Sequence, residues 1–197
     1  VNGVASRNDR DSVYMSLNNF SLAPFTQITN HIGYEIEGRT DGYATVYSML
    51  ANPRVDARIE MDGVKVSGIP VPNLLLTSRW DFGRSQASLD ISTTKDTRRV
   101  VTGYFAPSQM RYYARMQTDG VQMGLLDPVL RGVISGTEGV ASVDLNITGK
   151  GRMAELRGEI EVDSLATTID YTQCRYAAPK ATVKVENNRL TAAGVPI

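Results

Sequence analysis

The sequence predicts a mainly β chain, an elongated antiparallel-rich sheet carrying one or two short amphipathic helices. Three observations predict it. Apolar and polar residues alternate with period two in one segment after another, and glycine, asparagine and proline punctuate those segments. Blocks of sequence also recur about a hundred residues apart. Successive side chains on a strand point to opposite faces, so each alternating run has one dry face and one wet face.

Taken in order, SVYMSLN puts Val13, Met15 and Leu17 opposite Ser12, Ser16 and Asn18. SLAPFTQITNHI carries Leu22, Phe25, Ile28 and Ile32 on one side of a helical wheel, with Ser21 placed to cap it. RVDARIEMDGVKV at 54–66 sets Val55, Ala57, Ile59 and Met61 against Arg54, Asp56, Arg58, Glu60 and Asp62. SLDIS adds Leu89 and Ile91, and MRYYARM places Met110, Tyr112, Ala114 and Met116 together. LLDPVLRGV reads as a second short helix, with Leu126, Val129, Leu130 and Val133 on one face and Pro128 in its first turn. The remaining strands are SVDLNIT (Val143, Leu145, Ile147), GEIEVD (Ile160, Val162) and ATVKVEN (Val183, Val185).

The recurrence sets the domain organisation. DGYATV at 41–46 matches EGVASV at 138–143, pairing Gly42 with Gly139, Ala44 with Ala141 and Val46 with Val143. IEMDGVKV at 59–66 matches IEVDSLAT at 160–167, and FSLAPF at 20–25 lines up with VQMGLL at 121–126. The chain therefore reads as one elongated β-repeat segment, 1–197, with internal copies at about 13–70 and 115–190 joined by a β-rich stretch, 71–112. Repeats of this kind stack into extended architectures more readily than into closed globules.

Composition excludes several function classes. Lysine plus arginine equal aspartate plus glutamate at 21 each, so the basic stripe needed to neutralise nucleic-acid phosphates is missing. No polybasic cluster suggests an anionic membrane surface. The single cysteine, Cys174, excludes an internal disulfide, and no run approaches the ~20 apolar residues of a membrane-spanning helix. The chain begins VNGVASRNDRD, without methionine or the apolar stretch of a signal peptide, and is expected to be a piece of a longer protein.

Catalytic chemistry has little to work with. His31 is the only histidine, and its place at the end of a predicted helix suits a cap or surface role. The carboxylates fall on the wet faces, and no pair stands out as an acid–base couple. ITGKGRMA imitates a phosphate-binding turn, but the following ELRGEIEVD alternates like a strand, so Gly149 and Gly151 read as a hairpin turn. NDRDS lacks the glycine and distal glutamate of a calcium loop. Cys174 reads as an idle thiol and Trp80 as a core residue. No catalytic residue, metal or cofactor is expected, and the chain is expected not to be an enzyme.

What the dry faces touch is left open by alternation. They could pack on each other in a sandwich, or line an open, curved groove whose walls of Val, Ile, Leu, Met and Ala would receive an apolar ligand.

The order of blocks resembles the TamB family of the AsmA-like superfamily, in particular Bacteroidetes-type TamB proteins. The resemblance rests on MGLLDPVLRGVISGTEGVASVDLNITGKGRMAELRGEIEVDSLATTIDY running into CRYAAPKATVKVENNRL, and on a looser first copy, GYEIEGRTDGYATVYSMLANPRVDARIEMDGVKV. Pro53 stands where the family pattern has proline; the second copy has Ala154 or Glu155 there and keeps the glycine as Gly158. The resemblance implies a U-shaped β-groove in the periplasm, anchored to the inner membrane by a segment outside this chain. It implies phospholipid as cargo, an outer-membrane barrel of TamA type as partner, and a role in outer-membrane biogenesis. The groove would be lined by Val55, Ala57, Ile59, Met61, Val143, Leu145, Ile147, Ile160, Val162, Val183 and Val185. The competing expectation is a structural or interaction β-repeat module with a filled core and no ligand. Exposed strand edges could also pair two such fragments.

Overall fold

The computed structural model describes residues 1–197 apart from 9, 31–32, 52, 129–131, 152, 188 and 194–197. Alternation produces strands along almost its whole length: β1 (Asn2–Gly3), β2 (Ser12–Ser21), β3 (Ile36–Tyr47), β4 (Arg54–Val66) and β5 (Ile69–Pro70). There follow β6 (Leu74–Asp81), β7 (Gln86–Thr93), β8 (Arg99–Ala106), β9 (Arg111–Gln122), β10 (Ile134–Lys150), β11 (Met153–Ile169), β12 (Cys174–Glu186) and β13 (Arg189–Ala193). All join one antiparallel sheet in chain order, each pairing with the next, except that β5 hangs on β4 and β6 continues the sheet from β4. The sheet runs open from β1 to β13 and is neither closed nor strongly curled.

Register then decides where the apolar residues go. Cross-strand partners share a face, and one row runs Met15, Ala44, Ala57, Ser78, Leu89, Gly103, Ala114, Ile147, Leu156, each facing the next. The neighbouring row runs Ile59, Leu76, Ile91, Val101, Met116, Leu145, Gly158, Val185. On the opposite face lie Arg58, Thr77, Asp90, Thr102, Arg115, Asn146 and Arg157. The whole sheet is therefore amphipathic: one face apolar, the other polar.

Two sequence-based expectations need correction. The U-shaped groove is absent, because the strands extend an open sheet sideways instead of wrapping round an interior. Among the described residues the short amphipathic helices are absent too. SLAPFTQITNHI continues β2 to Ser21 and then makes a 3-10 turn, Ala23–Phe25, and a single helical turn, α1 (Thr26–Thr29). Pro24 and three β-branched residues in four (Thr26, Ile28, Thr29) disfavour anything longer. Ser21 Oγ does accept a bond from the Ala23 N–H at 3.2 Å. In LLDPVLRGV, the described part is the end of a 3-10 turn, Met123–Leu126; Val129 and Leu130, like His31 and Ile32, lie outside the described residues.

The hairpins also pair differently from the sequence blocks. Gly42 faces Ile59, whereas the residue facing Ile160 is Val143. Gly42 and Val143 thus hold one register place (143 less 42 and 160 less 59 both give 101). The place of Gly139 is held in the first hairpin by Gly38: each lies against the backbone of a strand at Asp62–Val64 or Asp163–Leu165. The two connections do not cause the slip, since 59 less 42 and 160 less 143 both give 17.

Packing is thickest at one place. Met123 in its 3-10 turn folds over Ala141, Val143, Val162 and Ala181, with Met116, Val121, Leu145, Ile160 and Leu165 around them. Elsewhere the apolar face is half-buried by its in-plane neighbours. Surface area reports the consequence: a compact monomer of this mass exposes about 9,200 Å², and this chain exposes 12841 Å². Met123→Ala should lower stability by about 2–4 kcal/mol, whereas Ile147→Ala, at a residue 39% exposed, should cost under about 1 kcal/mol. Urea unfolding checks both, with the midpoint moving and the slope unchanged.

Candidate functional site

The eleven residues expected to line a groove all fall on the apolar face. Val55, Ala57, Ile59 and Met61 alternate along β4, and Val143, Leu145, Ile147, Ile160, Val162, Val183 and Val185 along β10 to β12. They form two patches separated by β6 to β9. Val162 and Val185 are both 2% exposed, and Val162 belongs with Val143 to the packed region under Met123. Val55, Ile59, Met61, Leu145, Ile160 and Val183 are half-buried.

Three hollows open mainly among charged and polar residues of the other face, and of the eleven only Val185 and Ala57 touch them. One, about 650 Å³, opens among Arg115, Asp144, Asn146, Arg157, Glu159 and Lys184. Arg115 grips Asp144 through two bonds, Nε to Oδ1 at 3.2 Å and a terminal nitrogen to Oδ2 at 2.7 Å, and Asp144 in turn raises the guanidinium pKa. Two smaller hollows lie among Tyr43, Asp56, Arg58, Thr77 and Arg79 and among Ser88, Asp90, Thr97 and Arg99. Charges of both signs line these hollows, so they select neither an anion nor a cation. Aromatic rings sit on the same face as stacked pairs, Tyr14 with Tyr43 and Tyr104 with Tyr113, at 6.4 and 5.9 Å between centroids.

This geometry overturns the phospholipid conduit. A tail needs a walled apolar channel to leave water; here the apolar residues form a laterally extended face, and the concavities are charged. The terms that followed from the conduit, lipid transport and outer-membrane translocation among them, fall with it.

The other singled-out residues are readily placed. Gly151, at φ 61, makes the turn between β10 and β11, so ITGKGRMA is a hairpin. Cys174 is exposed at the start of β12. Trp80 is half-buried on the apolar face, opposite Ala87. Among the described residues no group of three or more His, Cys, Asp or Glu could hold a metal, and no helix is long and apolar enough to cross a membrane.

Two features escaped the sequence reading. The first is a tie between the turn regions of the two halves: Tyr34 Oη donates to the Leu125 carbonyl at 2.7 Å, across 91 residues. Between the two halves in the sheet, β6 to β8 stop at eight residues while their neighbours β4 and β9 run on. The second is which strands form the sheet edges, whose exposure alone was expected. Among the described residues, β13 pairs only with β12 and β1 only with β2. Lengths of alternating runs could have exposed the first; nothing in a single sequence marks an edge. No family model, curated protein or solved structure matches the chain.

Burial raises the Tyr34 pKa above the usual tyrosine range. The folded state therefore favours the neutral phenol, and this contribution is present below the ordinary tyrosine value and lost as pH rises through the folded one. Tyr34→Phe should cost about 1 kcal/mol and remove one late-titrating phenol from the ultraviolet titration of the folded chain.

Proposed function

We propose that the chain is a structural and interaction module: a stiff β-ladder that sets a distance and presents its faces and edges to other protein. The observation that carries this reading is the unbroken ladder from β1 to β13 in one open layer. Twelve strands along the path, spaced ~4.8 Å apart, span about 53 Å. Each strand between the two edges of the path is held by main-chain bonds to both neighbours, so the span is fixed by backbone geometry and depends little on a deep core. The small packed region under Met123 anchors one end of it. The paired charges of the polar face keep that side solvated, and the balanced formal charge carries no long-range attraction for an anionic partner.

Small-angle scattering of the monomer tests the proposal. A slab of about 53 by 40 by 10 Å has a radius of gyration of about 19 Å, against about 16 Å for a compact domain of this length. A value near 16 Å would contradict the ladder. Mass spectrometry of an organic extract of the purified chain should find no stoichiometric lipid.

A further inference from the structure

The pairing pattern of the first half returns in the second. Met15 faces Ala44 as Met116 faces Leu145, and Gly42 faces Ile59 as Val143 faces Ile160. The bulge in β2 falls at Asn19, with φ 49, and that in β9 at Gly120, with φ 79. Asp62–Gly63 and Asp163–Ser164 carry a further matched pair, with φ 59 at Gly63 and 57 at Ser164. Ile59, Leu76 and Ile91 follow one another across β4, β6 and β7 as Ile160, Val183 and Ala192 do across β11, β12 and β13.

The same correspondence reaches the two edges. β1 stands to β2 as β8 stands to β9, with Gly3 facing Val13 where Gly103 faces Ala114. Both glycines are pressed on the neighbouring backbone: a Cβ at Gly3 would lie 2.0 Å from the Ser12 carbonyl oxygen, and one at Gly103 2.3 Å from that of Tyr113. Only glycine fits such an approach. β13 is thus the counterpart of β7, and β1 the counterpart of β8. Within the chain, β7 and β8 pair directly, Leu89 to Gly103, Asp90 to Thr102 and Ile91 to Val101.

We infer that the outer edge of β13, which among the described residues pairs with β12 alone, takes β1 of a second copy of this chain, head to tail, rebuilding between molecules the β7–β8 junction that the chain already contains. The register is fixed by the correspondence: Leu190 meets Gly3, Thr191 meets Asn2 and Ala192 meets Val1 of the next copy. Unpaired main-chain donors and acceptors drive the contact. Because the two edges differ, the contact is heterologous and propagates as an open series. This deepens the interaction-module reading and rests on it.

Cysteine pairing in the full chain tests the inference, in a Cys174→Ser background. One preparation carries Asn2→Cys and another Thr191→Cys, both at exposed positions. Mixed and oxidised, they should yield the Asn2–Thr191 crosslink about tenfold or more above either homodimer, and sedimentation of the wild-type chain should show a concentration-dependent series. Gly3→Val, which must expel β1 from the sheet, should weaken self-association by about tenfold or more. A chain that stays monomeric at every concentration would overturn the inference, as would homodimeric crosslinks in excess. Either outcome leaves the scattering test untouched, so failure of the edge contact is distinguishable from failure of the ladder.

Discussion

Period-two alternation held in register across neighbouring strands is the constraint on which the rest of this structure depends. A slip of one residue at any pairing would move that strand's apolar residues to the charged side. No such slip occurs between Met15 and Leu156; the row stays on one face through nine strands. One register shift lies between Ile91 and Ser92 in the β7–β8 pair. Where register shifts at Asn19, Gly38 and Gly120, and between Ser135 and Val140, the irregularity lies at the turn ends of the long strands. There the backbone must bend to let the 3-10 turns fold back over the apolar face.

An amphipathic sheet in one layer is an unusual solution, because a dry face is normally covered by a second sheet or by helices. Here most of the shielding comes from side chains in the same plane. Val162, packed with Met123, and Val185, flanked by β11 and β13, are almost fully buried, while Ile147, nearer the hairpin end, remains 39% exposed. Cohesion therefore leans on the main-chain ladder and on a local cluster, and the bridge from Tyr34 to Leu125 adds a tie between the turn regions of the two halves. An object built this way suits spanning and contact better than enclosure. Its polar face, with Arg115 clamped on Asp144 and Arg58 on Glu60, is a surface of satisfied pairs.

The strands were legible in the sequence because alternation is a local signal: RVDARIEMDGVKV became β4 with its bounds unchanged. Its dry face was legible as dry, but what lies over it is a tertiary matter that alternation does not encode. That gap admitted the groove. The helices were misread because four apolar residues at helical spacing also suit a strand end followed by a tight turn, and Pro24 with Thr26 and Thr29 tips the balance to the turn. The repeat blocks were matched by residue identity, Gly42 to Gly139, while the fold matches by register, Gly38 to Gly139. Identity drifts freely where only face and backbone clearance are constrained. Exposed edges were expected, but which strands form them was not legible: β1 is two residues long, and its importance lies in its correspondence with β8.

The claim at the centre of this account is that one apolar face is left without a second layer. Methyl relaxation enhancement by a neutral, water-soluble paramagnetic agent, measured on the dilute monomer, tests it directly. The account predicts strong attenuation at Ile147, intermediate attenuation at Ile59 and Leu145, and near-complete protection at Val162 and Val185. Uniform protection of all five would mean that the face is covered, and would contradict it.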